Sequence, residues 1–175
     1  MTRRSREIGE SFEAALDAMH ADYARRGVAW VRRVGTPVKV MGVVRRDGRG
    51  RSRFAAAFDG PQGADFVGFT AAGRHVCLEA KAHTMRSAWP SGVRSDGTVG
   101  TGALGEAQWL ELRAAESAGC VALVILRAWG ECYAFTPVDL VAHAAREGRS
   151  TIRPEDSALV GKRIGPEFRP DWMGR

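Results

Sequence analysis

Apolar residues near the amino terminus recur every three or four positions. Phe12, Leu16 and Tyr23 fall on one face of a helix, which we expect to end near Gly27. The apolar run over 28–34 follows and predicts a strand. The chain is therefore expected to begin with an amphipathic helix that leads into a sheet.

Two strand-like segments, VKVMGVV and RFAAAF, then flank a basic stretch that contains two glycines. Together they predict a projecting two-stranded stalk over 38–58. Residues 38–58 include one acidic residue and six basic residues, which are Lys39, Arg45, Arg46, Arg49, Arg51 and Arg53. A block of this kind is typical of an arm that contacts phosphates, although a solvated surface loop is the alternative.

The segments ADFVGF and HVCLEAK predict a hairpin. If the chain turns about Ala72, Asp65 lies directly opposite Glu79 on the neighbouring strand. Because Glu79 and Lys81 are two positions apart, they point to the same face as Asp65. Two carboxylates and one ammonium are thus expected to meet on one side of a sheet that is otherwise apolar.

Downstream, apolar periodicity predicts two more helices and two more strands. They are a helix at 106–118, strands at 120–128 and 131–135, and a helix at 137–147. The stretch 87–105 is rich in Gly and Ser and predicts a long loop, and the polar stretch after Gly148 predicts a loosely packed tail. This order predicts an α/β fold in which a mixed central sheet is flanked by helices.

The length of 175 residues suits one domain, which we expect over 7–173 with flexible tails at 1–6 and 174–175. The net charge of +6 favours an acidic partner such as nucleic acid. Three cysteines without a CxxC spacing favour a reducing compartment. Without a signal peptide or a long apolar run, the sequence predicts a cytoplasmic protein with no membrane partner.

The three charges of the hairpin have a chemical use. Magnesium prefers carboxylate oxygens and keeps several waters, so Asp65 and Glu79 are candidate ligands for Mg²⁺, with Mn²⁺ as a substitute. Lys81 would orient an attacking water or stabilise the charge that develops on a phosphate. The alternative interpretation is a surface ion pair between Lys81 and a carboxylate.

Several longer segments, read together, extend this interpretation. They are GESFEAAL, GTPVKV, ADFVGF, GRHVCLEAKAH, EAQWLELRAAESAGCVALVIL, ECYAFTPVDL and IGPEFRPDWM. In this order the chain resembles the RecU family of Holliday-junction resolvases, within the PD-(D/E)xK nuclease superfamily. The resemblance implies a restriction-endonuclease-like core, a homodimer, and symmetric phosphodiester cleavage of four-way DNA junctions. Branch-migration and recombination proteins of a prokaryotic or phage-infected cell are then the expected protein partners.

The resemblance also implies residue roles. Asp65, Glu79 and Gln108 would bind or support the metal, Lys81 would stabilise the transition state, and Glu13 would approach the site from the first helix. The DNA-binding residues would be Arg33, Lys39, Arg45, Arg46, Arg49, Arg51 and Arg53.

Two positions depart from the family's pattern. Gly63 stands where the family usually has threonine, and Ala107 where it usually has histidine. They favour a divergent or phage-type member of the family. A related nuclease acting on forks, flaps or other DNA and a junction-binding protein without activity remain alternatives.

The tryptophans divide into two groups on sequence grounds. Trp89 and Trp109 are the candidates for stacking on bases or sugars. Packing roles are expected for Trp30, Trp129 and Trp172.

Overall fold

The computed structural model describes residues 3–35, 38–46, 52–58, 63–166 and 171–173. The helices are α1 (Arg3–Arg25), α2 (Glu106–Ser117), α3 (Pro137–Glu147) and α4 (Pro154–Val160). The strands are β1 (Ala29–Arg33), β2 (Val38–Arg46), β3 (Ser52–Phe58), β4 (Phe66–Thr70), β5 (His75–His83), β6 (Trp89–Pro90), β7 (Val121–Ala128), β8 (Glu131–Phe135), β9 (Thr151–Ile152) and β10 (Lys162–Pro166).

Six strands form a central mixed sheet in the order β1-β4-β5-β7-β8-β10. All neighbours in it are antiparallel except β5 and β7, which run parallel and are connected through α2. Helix α1 packs on one face, while α2 and α3 pack on the other. The predicted α/β class, a mixed sheet flanked by helices, is confirmed.

The ends of the helices follow from local sequence. Gly27 and Gly148 lie just beyond α1 and α3 with φ of +66° and +63°, a left-handed conformation that glycine adopts without steric cost. Thr136 caps α3 because its hydroxyl accepts a hydrogen bond from the Asp139 N–H, with Pro137 at the first helical position. The end of α1 near Gly27 and both ends of α3 were predicted from the sequence, since caps depend on neighbouring residues only.

The segment after Gly148 is more ordered than the sequence predicts. Helix α1 begins at Arg3, within the stretch 1–6 that was expected to be a flexible tail, and the flexibility of that stretch stays a prediction. The loosely packed tail expected after Gly148 is wrong. It contains α4 and β10, which joins the edge of the central sheet beside β8, and its residues Ile152 and Trp172 are buried.

The stretch 87–105 is a loop over most of its length, but the core holds it in place. Strand β6 pairs with β9, and Trp89, Val93 and Leu104 are buried. Trp109 is buried as well, and its indole N–H donates to the Gly97 carbonyl at 2.8 Å. The expectation that Trp89 and Trp109 stack on bases is therefore wrong, because both rings fill the core between the sheet and α2.

Strands β2 and β3 form a separate antiparallel pair within the stretch predicted as a stalk. Arg45 lies opposite Arg53 in this pair, and Lys39 opposite Ala57, whereas Arg49 and Arg51 lie outside the described residues. The projection of this pair from the core stays a prediction. Among the described helices, none combines the length and the hydropathy needed to cross a bilayer.

Candidate active site

The β4–β5 hairpin brings the predicted carboxylates together. Phe66 pairs with Leu78 and Val67 with Cys77, so the register places Asp65 opposite Glu79, as the sequence predicts. Asp65 lies one residue before β4, and its Oδ2 accepts a hydrogen bond from the Ala80 N–H at 2.9 Å. A backbone donor on β5 therefore holds this carboxylate beside Glu79.

Glu79 is the most deeply buried charged residue of the site, with a side chain that is 0% exposed. Its Oε1 lies 2.6 Å from Lys81 Nζ in a close ion pair. Beyond that ion pair, neither carboxyl oxygen has a hydrogen-bond partner among the described residues. Buried polar atoms without partners are rare in proteins, so these oxygens suit a ligand.

The electrostatics of Glu79 agree with this geometry. Burial raises its pKa from 4.5 to about 8, Lys81 opposes the increase, and the nearby Asp65 carboxylate adds to it. A divalent cation at these oxygens would restore the ionised form, because it supplies the positive charge that a buried carboxylate needs.

Lys81 is held from two sides. Its Nζ contacts Glu79 and also donates to Gln108 Oε1 at 3.1 Å, and its side chain is 20% exposed. The same Oε1 accepts from the Gly105 N–H at 3.0 Å at the start of α2. Gln108 was expected to support a metal, but the structure places it on the lysine, where it fixes the ammonium relative to the helix.

Glu13 approaches the site from α1. Its pKa is raised, mainly by burial, while Arg33 lowers it and the charge of Asp65 raises it further. Arg33 donates to Glu13 Oε2 and to Asp17 Oδ2, each at 2.6 Å. Arg33, expected to bind DNA, is thus engaged with two carboxylates of α1, although its side chain remains 39% exposed.

Glu111 belongs to this neighbourhood and was missed in the sequence. Its Oε2 accepts from the Ala64 N–H at 2.7 Å, next to Asp65. A Cβ atom on Gly63 would lie 1.7 Å from that oxygen, so Glu111 occupies the space that a side chain at position 63 would need. The signal was its spacing of three residues from Gln108, which places both on one helix face.

The donor set fits a magnesium ion. Mg²⁺ is commonly held by one or two carboxylates and completed by water and phosphate oxygens, and Asp65 together with Glu79 offers such a pair. Within the described part of the chain, no group of three or more His, Cys, Asp or Glu side chains is arranged around one point. Asp65 and Glu79 could hold a cation whose remaining ligands are water or phosphate oxygens.

The fold and this cluster define an α/β protein that carries two carboxylates and a lysine on adjacent central strands. Comparison with protein-family models gives no match, and no curated protein matches the chain.

Proposed function

We propose that this protein is a magnesium-dependent DNA endonuclease that resolves four-way junctions, as its resemblance to the RecU family implies. The observation that carries the proposal is the position of Glu79, buried between Asp65 and Lys81 with two carboxyl oxygens that lack hydrogen-bond partners among the described residues. The finer fold assignment, a restriction-endonuclease-like core with a basic stalk, belongs to the same proposal.

The cluster of Asp65, Glu79 and Lys81 is not one that would stabilise the fold. Burying a carboxylate costs several kcal/mol unless it is well paired, and a second carboxylate nearby adds repulsion. Glu79 has one ion pair with a partly exposed lysine, and the charge of Asp65 disfavours its ionisation. Perturbed groups of this kind concentrate at functional sites, where the cost is offset by a bound ion or substrate.

The proposed roles follow from the contacts. Asp65 and Glu79 would hold Mg²⁺, which supplies charge to polarise the scissile phosphate and to acidify water. Lys81 would turn its ammonium from Glu79 toward the attacking water or the developing phosphorane charge. Gln108 would keep Lys81 in reach, and Glu13 would contribute negative charge from α1 at the edge of the site.

Charge supports DNA as the substrate. The protein carries a net charge of +6, and Arg45 stands opposite Arg53 in the β2–β3 pair. We infer that phosphates supply much of the affinity, which should fall steeply with salt.

A homodimer would present two such sites to the opposed strands of a four-way junction, since a symmetric reaction needs a two-fold enzyme. We place this reaction in the cytoplasm of a prokaryotic or phage-infected cell. Branch-migration and recombination proteins are the proposed partners there.

The test measures binding and cleavage of a synthetic four-way junction with and without Mg²⁺. Lys81→Ala should bind the junction normally and cleave about 10²–10⁴-fold more slowly, since it removes a group that acts on the transition state. Lys162→Ala, which removes an exposed lysine of β10, is the matched control. Undiminished cleavage by Lys81→Ala would overturn the site.

The same assay on forks, flaps and linear duplex separates a junction resolvase from a related nuclease. Faster cleavage of forks or flaps than of the junction would reassign the substrate. Tight binding without turnover on any of these DNAs would identify a junction-binding protein without activity.

A further inference from the structure

A cavity of about 650 Å³ lies at the carboxyl ends of β5 and β7. His83 to Arg86 line one side, and the β7–β8 turn of Trp129 and Gly130 lines another. His83 is two residues beyond Lys81 on β5, so the two side chains share a face about 7 Å apart along the strand. The cavity therefore adjoins the candidate active site, on the side of Lys81.

Two arginines, Arg86 and Arg127, line this cavity. Arg86 is exposed and Arg127 is buried, and none of the described residues that line the cavity is acidic. Arg127 donates to the Ile8 carbonyl at 2.6 Å and lies over the Phe12 ring, so its charge is held in one place. An anionic group is the ligand that such walls favour.

Trp129 is in an unusual conformation for an aromatic residue. Its φ is +54°, and it precedes Gly130 at +83° in a two-residue hairpin turn where Asn-Gly is the favoured sequence. The ring is fixed, because its N–H donates to the Ser87 carbonyl at 3.2 Å and it meets the His83 ring edge-on at 6.1 Å. A bulky residue held in a strained turn is a reason to look for a function.

We propose that this cavity binds one nucleotide of the DNA strand next to the scissile phosphate, with its base on Trp129 and its phosphate on Arg86. An aromatic ring beside cationic side chains is the arrangement that binds unstacked nucleotides in single strands. The nucleotide is one at the branch point, where bases can leave the helical stack. This inference rests on the proposed nuclease function and adds the position of the neighbouring nucleotide.

The test moves a single abasic nucleotide through the positions on either side of the cleaved phosphate. Junction binding is measured without Mg²⁺ and cleavage with it. We expect one position at which the missing base weakens binding to the wild type about tenfold, the usual contribution of one stacked base. Trp129→Asn should bind the intact junction about tenfold more weakly and be insensitive to that abasic position. Because asparagine suits this turn, the variant should fold.

Further variants separate the two contacts. Trp129→Phe keeps a ring and should keep the sensitivity to the abasic position. Arg86→Ala should weaken binding to all the junctions alike. The slope of log K against log salt concentration should become shallower by about one, as expected when one phosphate contact is lost. Trp30→Asn and Arg146→Ala are controls, since Trp30 is exposed on β1 and Arg146 is exposed on α3.

The outcomes distinguish this inference from the function on which it rests. If the wild type binds and cleaves the intact junction but every abasic position affects wild type and Trp129→Asn equally, the nucleotide site is wrong and the nuclease stands. If the wild type cleaves none of the DNAs, both proposals fail. A loss in Trp30→Asn equal to that in Trp129→Asn would also overturn the site.

Discussion

The two faces of strand β5 differ sharply although they belong to the same nine residues. Val76 and Leu78 point toward α1 and are fully buried among apolar side chains. On the opposite face, Glu79 is equally buried but has an ionisable carboxyl group, and Lys81 follows it. The apolar face stabilises the folded chain. The opposite face destabilises it and supplies the carboxyl and ammonium groups of the candidate site.

This comparison shows how a binding site can be placed in the middle of a sheet. Strand alternation lets the two faces be chosen independently, because neighbouring side chains never share a surface. The apolar face anchors the backbone of β5, and that backbone in turn holds Asp65 through the Ala80 N–H. A rigid core on one side is therefore what positions the carboxylates on the other.

The largest expected effect separates activity from stability on the charged face. Glu79→Gln keeps the side-chain shape and removes the charge, so cleavage should fall about 10²–10³-fold while the free energy of unfolding without metal stays equal or rises. Mg²⁺ should raise the melting temperature of the wild type and leave that of the variant unchanged. Junction cleavage and thermal denaturation with and without Mg²⁺ measure both. If Glu79→Gln were less stable than the wild type and still cleaved the junction, this division of roles between the two faces would be wrong.

The apolar face should respond in the opposite way. Leu78→Ala removes a fully buried side chain and should lower the free energy of unfolding by about 3 kcal/mol, with little change in cleavage rate per folded molecule. Urea denaturation measures the loss. Leu110→Ala is the matched control, because Leu110 on α2 is 60% exposed and should change stability by less than about 0.5 kcal/mol. An equal loss in both variants would show that burial on this face does not determine stability.

Local patterns in the sequence predicted the parts of this comparison that depend on neighbouring residues. Alternation and a short turn were enough to place Asp65 opposite Glu79, and capping residues were enough to end α1 and begin α3. The segments that sequence reasoning missed depend on distant partners. Strand β10 is polar and follows a proline-bearing stretch, and its place in the sheet comes from pairing with β8.

The candidate site divides in the same way. The cluster of Asp65, Glu79 and Lys81 follows from strand geometry, whereas the contact of Gln108 with Lys81 depends on how α2 packs over the sheet. Trp129 packs against the core, as the sequence predicts, but nothing in its sequence neighbourhood reveals the left-handed turn or the cavity beside it. The sequence pattern does not reveal how elements that are distant along the chain pack together.

A buried histidine on the α1 side gives a smaller, pH-dependent effect. Burial lowers the pKa of His20 from 6.5 to about 4, with Asp17 opposing the decrease, and His20 Nε2 accepts the Trp172 indole N–H at 3.1 Å. The unfolded chain therefore binds a proton at a higher pH than the folded chain does. Stability should be fully present above about pH 6.5 and fall as the pH drops toward 4, by at most about 3 kcal/mol.

Urea denaturation between pH 4 and pH 8 tests this dependence. His20→Gln can still accept the indole N–H but does not titrate, so its stability should change less over the same range. A wild type and variant with parallel pH profiles would show that other groups control acid unfolding.

The smallest effect tests whether Glu111 supports the charged face through the Ala64 N–H. Glu111→Ala removes that hydrogen bond, and Gly63→Ala should displace the same carboxylate, because its Cβ would lie 1.7 Å from Oε2. Each change should lower stability by about 1 kcal/mol and slow cleavage modestly. Because both break one contact, the double variant should lose no more than either single variant, a coupling of about 1 kcal/mol in a double-mutant cycle. Additive losses would mean that the two positions act separately, and Asp65 would then be held by β5 without help from α2.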